Sequence, residues 1–83
     1  QHWQMLAKGA MLDDLQSLQR GITGAVLAAG SSDAEPAALV AAWVADNARA
    51  LERASQLMTE LRAVTVPDAA MLSVALRELR ALG

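Results

Sequence analysis

Few residues in this sequence have the types and spacing that catalysis or metal binding requires. His2 is the single histidine, cysteine is absent, and the next acidic residues along the chain are Asp13 and Asp14. A metal site needs several ligands that converge on one point, whereas these carboxylates lie about three helical turns beyond His2. Adjacent residues of a helix diverge by about 100°, so the two carboxylates cannot share a proton. The sequence therefore predicts neither a metal site nor a catalytic carboxylate pair.

Motifs for nucleophilic catalysis and for cofactor binding are also missing. Serine occurs at five positions, but His2 is the only imidazole that could act as a base for any of them. The stretch GAVLAAG at 24–30 contains glycines, yet it lies at a predicted helix end and lacks the spacing of a dinucleotide-binding fingerprint. We therefore predict no catalytic and no cofactor-binding residue in this chain.

Charge and composition disfavour two classes of partner. The formal net charge is -2 and no cluster of lysine and arginine offsets it, so we expect no nucleic-acid binding. The longest charge-free run, at 21–32, is too short to span a bilayer, so we expect no membrane partner. The absence of cysteine fits a reducing compartment, and we expect a cytoplasmic protein. Because the chain begins at Gln1 rather than at Met, we also expect it to be part of a longer protein.

The elements that must position any functional residue are helices. Alanine supplies much of the 54% hydrophobic content, and phenylalanine and tyrosine are absent, a composition that favours helices over strands. Turn residues divide the chain twice, at GSSDAEP (30–36) and at VTVPD (64–68). This division predicts three helices in a single domain that covers 1–83; the helices span 2–29, 35–63 and 66–82.

The two breaks also contain helix-start signals. In the first break, Asp33 is the expected N-cap and Pro36 is suited to the first turn. In the second break, Thr65 and Asp68 have the spacing of a capping box, and Pro67 again fits an opening turn.

The apolar residues of each predicted helix fall on one face. They recur at spacings of three and four, as in the series Met11, Leu15, Leu18 and in the series Ala54, Leu57, Leu61. Such spacings favour the crossing angles near +20° that are found in helical bundles. Short connections then make neighbouring helices run in opposite directions. The predicted fold is all-α, an antiparallel up-down-up three-helix bundle with two long helices and a shorter third.

The short third helix predicts an uncovered end of the bundle. At 1.5 Å per residue the first two helices reach about 40 Å, but the third reaches only about 25 Å. It can cover the segments 11–18 and 54–61, and it leaves bare the tip, which we define as residues 22–29 and 40–47. An apolar surface is expected there, serving either a partner or a second copy of the chain. Its predicted residues are Ile22, Val26, Val40, Trp43 and Asn47.

Three features of the helices each leave two interpretations open. Asn47 either sets the helix register through a hydrogen bond to another helix or lies partly exposed near the tip. Trp3 either docks on the third helix or anchors the domain to a preceding segment. Gly21 and Gly24 indicate either a close approach between helices or a kink, because glycine weakens a helix interior.

Three stretches together resemble the extreme C-terminus of the large bacterial NAD-specific glutamate dehydrogenases. They are HWQMLAKGAMLDDLQSLQRGIT (2–23), AAWVADNARALERASQLMTEL (41–61) and AMLSVALRELRAL (70–82). The shared residues are structural rather than chemical, and their order and spacing carry the resemblance. Gln16 departs from the pattern, because many family members have an aromatic residue there.

The resemblance implies a parent enzyme that converts L-glutamate to 2-oxoglutarate with NAD, forms homo-oligomers and works in the cytoplasm. In that family the catalytic lysines and the dinucleotide-binding fold lie far upstream, so no catalytic or NAD-binding residue carries over to this chain. The chain would then be an inactive C-terminal domain that packs on the remainder of the parent and serves assembly or regulation. The alternatives are a stand-alone helical protein-protein interaction module and a small helical enzyme; the latter is disfavoured by the lack of convergent ionisable residues.

Overall fold

The computed structural model describes residues 2–30 and 37–83 of the chain. These residues form α1 (His2–Gly30), α2 (Ala37–Ala63) and α3 (Ala69–Leu82), and they contain no strand. The helices have 29, 27 and 14 residues respectively. The prediction of an all-α fold with two long helices and a shorter third is therefore confirmed.

The start of α3 differs from the sequence prediction. The helix begins at Ala69, three residues later than expected, and Asp68 is its N-cap. The Met71 backbone N–H donates to Asp68 Oδ1 over 2.8 Å, so the proposed capping box between Thr65 and Asp68 is wrong. The residue before a proline is disfavoured in the α conformation, which keeps Val66 out of the helix. At the other break, the predicted cap Asp33 and Pro36 lie outside the described residues.

Polar contacts pair the helices in a regular order. Lys8 of α1 contacts the carbonyl of Val64, which follows the end of α2, and farther along α1 the Gln19 Nε2 donates to Ser55 Oγ over 3.2 Å. As the residue number rises along α1, the residue number of the partner in or after α2 falls, which is consistent with the expected antiparallel order. The bundle is a rod with extents of 51 × 17 × 16 Å.

The hydrophobic core lies in one half of this rod. Its buried residues are Met11, Leu15, Ala54, Leu57, Met58, Leu61, Leu72 and Ala75. Those of α1 and α2 all belong to the segments 11–18 and 54–61, the region predicted to lie under the third helix. We call these two segments, together with α3, the covered half. Leu15 and Leu61 are 0% exposed, so these two side chains are fully removed from solvent.

Arg53 joins α2 to α3 at the edge of the core. Its Nη2 lies 2.5 Å from Glu78 Oε2, an atom buried from solvent, in an ion pair rather than a well-aligned hydrogen bond. Its Nη1 donates to Gln56 Oε1 over 3.2 Å and lies 3.6 Å from Glu60 Oε1. The interaction with Glu78 is the main reason that the pKa of Arg53 is raised above its ordinary value, and burial opposes that rise only in part. Arg53 therefore stays charged and holds α3 against α2.

Candidate interaction surface

A shallow apolar groove lies at the tip, beyond the covered half. It is lined by Ala29 of α1 and by Leu39, Val40 and Trp43 of α2, and its volume is about 340 Å³. Leu39 is 62% exposed and Trp43 is 39% exposed. We call this feature the tip groove.

The groove continues the stripe that forms the core. On α2, Val40, Trp43 and Asn47 repeat at the same three- and four-residue spacing as Ala54, Leu57 and Leu61, so both sets lie on one face. The part of the stripe that contains Ala54, Leu57 and Leu61 is buried under α3. Its continuation at the tip is exposed or half-buried. Among the described helices, none continues along this face past the end of α3 at Leu82.

The five residues predicted for this surface are distributed as follows. Val40 and Trp43 line the tip groove, and Ile22, Val26 and Asn47 are half-buried on the same stripes. Binding by these residues stays a prediction. Leu39 was not among the predicted residues because it lies beside the stripe, although its four-residue spacing from Trp43 places the two side chains on neighbouring turns.

Asn47 makes a local hydrogen bond. Its Nδ2 donates to the backbone carbonyl of Trp43, one turn earlier in the same helix, over 2.8 Å. Side chains that bond back to the preceding turn satisfy themselves without a partner helix. Of the two interpretations of Asn47, the structure matches the partly exposed residue near the tip.

The glycines of α1 do not mark a close approach between helices. A Cβ added at Gly21 or at Gly24 would meet no atom within 4 Å. Both residues are exposed, and each has an ordinary helical φ, because the described residues include no glycine with a positive φ. The prediction of close helix packing at these two positions is therefore wrong; they face away from α2 and α3.

Trp3 does not pack in the core. It is 55% exposed, and Leu6, one turn later, is 62% exposed. Leu6 lies on the side of α1 opposite the core stripe that contains Met11 and Leu15, and Trp3 lies at the flank of that stripe. The prediction that Trp3 docks on the third helix is wrong, and its alternative role as an anchor for a preceding segment stays a prediction.

None of the residues that line the tip groove is charged. Within the described ranges 21–30 and 37–45, no Asp, Glu, Lys or Arg occurs. The charged residues that flank these ranges in the sequence are Arg20, Asp33, Glu35 and Asp46, of which Asp33 and Glu35 lie outside the described residues. In residues 2–30 and 37–83, no group of three or more acidic or imidazole side chains is placed to hold a metal ion. What the tip groove can offer chemically is an uncharged apolar surface.

Comparison with known proteins places this helical unit in a family. The family described as "Glutamate dehydrogenase, C-terminal" matches residues 1–81. The chain belongs to this glutamate dehydrogenase C-terminal family. The match covers all three helices almost completely, and it confirms the resemblance inferred from the three quoted stretches.

A relative of this glutamate dehydrogenase C-terminal domain is the NAD-specific glutamate dehydrogenase of Pseudomonas aeruginosa. The two are 41% identical over 78 residues, which is 94% of this chain. The same alignment covers 5% of the relative, so the domain spans about one-twentieth of that enzyme's length. No solved structure matches the domain. Across the described helices, none is long and apolar enough to cross a bilayer.

Proposed function

We propose that this chain is the non-catalytic C-terminal domain of an NAD-dependent glutamate dehydrogenase. The parent enzyme would oxidise L-glutamate with NAD to 2-oxoglutarate, ammonia and NADH. The observation that carries the proposal is the family match over residues 1–81, together with the 41% identity to an NAD-specific glutamate dehydrogenase. NAD and glutamate would bind elsewhere in the parent, which would be a cytoplasmic homo-oligomer.

The role of the domain in that enzyme would be structural or regulatory. Its covered half has a core and a capped third helix, so it can hold its shape against a neighbour. Its tip presents Val40 and Trp43 on an uncharged surface that a neighbour could cover. Packing on the parent, and through it assembly or control, is the function that this arrangement supports best.

The reading frame upstream of Gln1 gives the first test. Continuation into a dinucleotide-binding dehydrogenase is expected, and a short frame without one would favour the stand-alone interaction module instead. The second test uses the full-length protein, with glutamate-dependent NADH formation followed by absorbance. Activity is expected in the full-length enzyme, and calorimetry should detect no NAD binding by residues 1–83. NAD binding by that segment would contradict the proposal.

A further inference from the structure

We infer that the tip groove is the docking site of a helix from elsewhere in the same dehydrogenase polypeptide, an inference that rests on the proposed function. That helix would pack against α1 and α2 beyond the C-terminal end of α3, in line with α3. It would be amphipathic, with uncharged aliphatic side chains on its docking face, and about 13 residues long. The geometry of the bundle, the chemistry of the tip and the area of the groove each support one part of this inference.

The geometry fixes the kind of occupant. α3 packs along α1 and α2 and ends at Leu82, whose following residue Gly83 caps the helix by donating its N–H to Leu79 O over 3.1 Å. α3 has 14 residues and α2 has 27, so about 20 Å of the hairpin extends past it. The apolar stripe continues along that length. A helix that lies in line with α3 would contact Val40 and Trp43 in the same way that α3 contacts Leu57 and Leu61 in the covered half.

The chemistry fixes the face that the helix presents. The described tip ranges 21–30 and 37–45 contain no charge that could pair with an acidic or basic partner. An unpaired charge buried against Val40 and Trp43 would lose its hydration without compensation. The docking face must therefore be aliphatic or aromatic. Alanine occupies many of the remaining tip positions, which lets a helix backbone come close.

The area of the groove favours a tethered occupant over a second free copy. The hairpin extends about 20 Å past α3, and four residues line the groove there, Ala29, Leu39, Val40 and Trp43, whereas a standard interface uses about 20–30 residues a side. Stable complexes between separate proteins bury about 800 Å² on each side, so two free copies meeting here would associate weakly. Contacts between domains of one chain can be smaller, because the tether supplies a high effective concentration. The matched dehydrogenase is about twenty times longer than this domain and has ample chain to supply the helix.

Photo-crosslinking in the full-length enzyme identifies the occupant directly. Trp43 is replaced by p-benzoylphenylalanine, and Val74, which is 51% exposed on α3 and outside the groove, receives the same replacement as a control. The expected result is an intramolecular crosslink from position 43, at the mass of one polypeptide, to a single segment upstream of residue 1, and no such crosslink from position 74. Peptide mapping should place the segment in an amphipathic helix.

A second variant tests whether the groove holds that helix. Val40→Asp places a charge in the groove and should abolish the position-43 crosslink, while Val74→Asp should leave it intact. Hydrogen exchange of the segment 54–61 reports whether the covered half stays folded. In the unsubstituted enzyme the tip segments should exchange roughly tenfold more slowly than in the free 83-residue chain.

Two results would overturn the inference. One is a crosslink at the mass of two polypeptides, from position 43 to a second copy's tip or to another subunit. The other is no crosslink at all in an enzyme that oxidises glutamate. Each leaves the proposed function in place, because that function is tested separately by the upstream reading frame, by the glutamate dehydrogenase activity of the full-length protein and by NAD binding to residues 1–83.

Discussion

Lys8 Nζ lies 2.6 Å from the backbone carbonyl oxygen of Val64, and 3.4 Å from that of Thr65. Val64 directly follows Ala63, the last residue of α2, and Thr65 comes next, so both carbonyls lie just beyond the helix C-terminus. A cation at a helix C-terminus also interacts favourably with the helix dipole. One lysine of α1 therefore satisfies the end of α2 and fixes the loop that leads into α3.

We expect Lys8→Met to destabilise the domain by about 1 kcal/mol, because the two carbonyls lose a charged donor in a partly buried place. The measurement is the free energy of unfolding from urea denaturation. Arg62→Met is the control, since Arg62 is exposed in the last turn of α2 and no contact between helices is seen for it. Equal losses in the two variants would mean that general charge, rather than the Lys8 contact, stabilises the loop.

Truncation along the α2 stripe should show a steep gradient. Leu61→Ala removes a side chain that is 0% exposed and should cost about 2–5 kcal/mol, enough to unfold much of a domain of this size. Trp43→Ala removes more atoms, but from a side chain that is 39% exposed, so in the isolated domain its cost should be about 1 kcal/mol. Thermal unfolding followed by circular dichroism compares the two. A Trp43 variant as unstable as the Leu61 variant would show that the tip is as well packed as the covered half.

The N-cap of α3 gives a third prediction. Asp68→Ala should lower stability by about 1 kcal/mol, because the backbone N–H of Met71 loses its acceptor. Asp68→Asn should retain most of the stability, since an amide oxygen can accept the same bond. Asp13→Ala is the control at an exposed position inside α1. Urea midpoints of the three variants decide the matter, and an Asn variant as unstable as the Ala variant would argue against capping.

Arg53→Met should lower the urea midpoint more than Arg49→Met does. Arg53 pairs with Glu78 at side-chain exposures of 35% and 32%, whereas Arg49 pairs with Asp46 at exposures of 79% and 72%. Exposed ion pairs are screened by solvent and contribute little. Matching midpoint shifts in the two variants would rule out a special role for the link between α2 and α3.

The ionisation of Arg53 also determines how its contribution depends on pH. Its interaction with Glu78 raises the pKa of Arg53 in the folded chain, so the stability gained from its charge is fully present below the ordinary arginine pKa and is lost only as pH rises through the folded-state pKa. The midpoint difference between Arg53→Met and the unsubstituted chain should therefore be the same at pH 7 and pH 9. A difference that shrinks by pH 9 would mean that a group other than Arg53 titrates in this range and controls the contribution.

The helical architecture could be predicted from the sequence because spacing and turn residues are local signals. The stripe through Ala54, Leu57 and Leu61 and the turn residues at 30–36 and 64–68 each act within a few residues. The shorter third helix followed from the number of residues after the second break. The start of α3 was misplaced because two overlapping signals compete there. Thr65 and Asp68 match a capping box, but Pro67 excludes its preceding residue from the helix and leaves Asp68 as the cap.

Contacts between helices were harder to predict than the helices themselves. The contact of Lys8 with Val64 and the pairing of Arg53 with Glu78 depend on the rotation of each helix, which no short motif encodes. The same limit explains why the packing predicted for Trp3, Gly21 and Gly24 was wrong. Their residue types suggested contacts between helices, but the rotation of α1 leaves them exposed. The tip surface could be anticipated because it needs only helix lengths and a continuing stripe.

The two tryptophans lie at opposite ends of the rod and can serve as intrinsic fluorescence probes of each end. Trp3 lies near the end of the rod where α1 begins and Trp43 lies at the tip, about 40 Å away along the helices. With no tyrosine or other tryptophan in the chain, replacing either indole by phenylalanine leaves a single emitter that senses one end alone. Fluorescence can thus distinguish loosening at one extremity from loosening at the other, without any added dye.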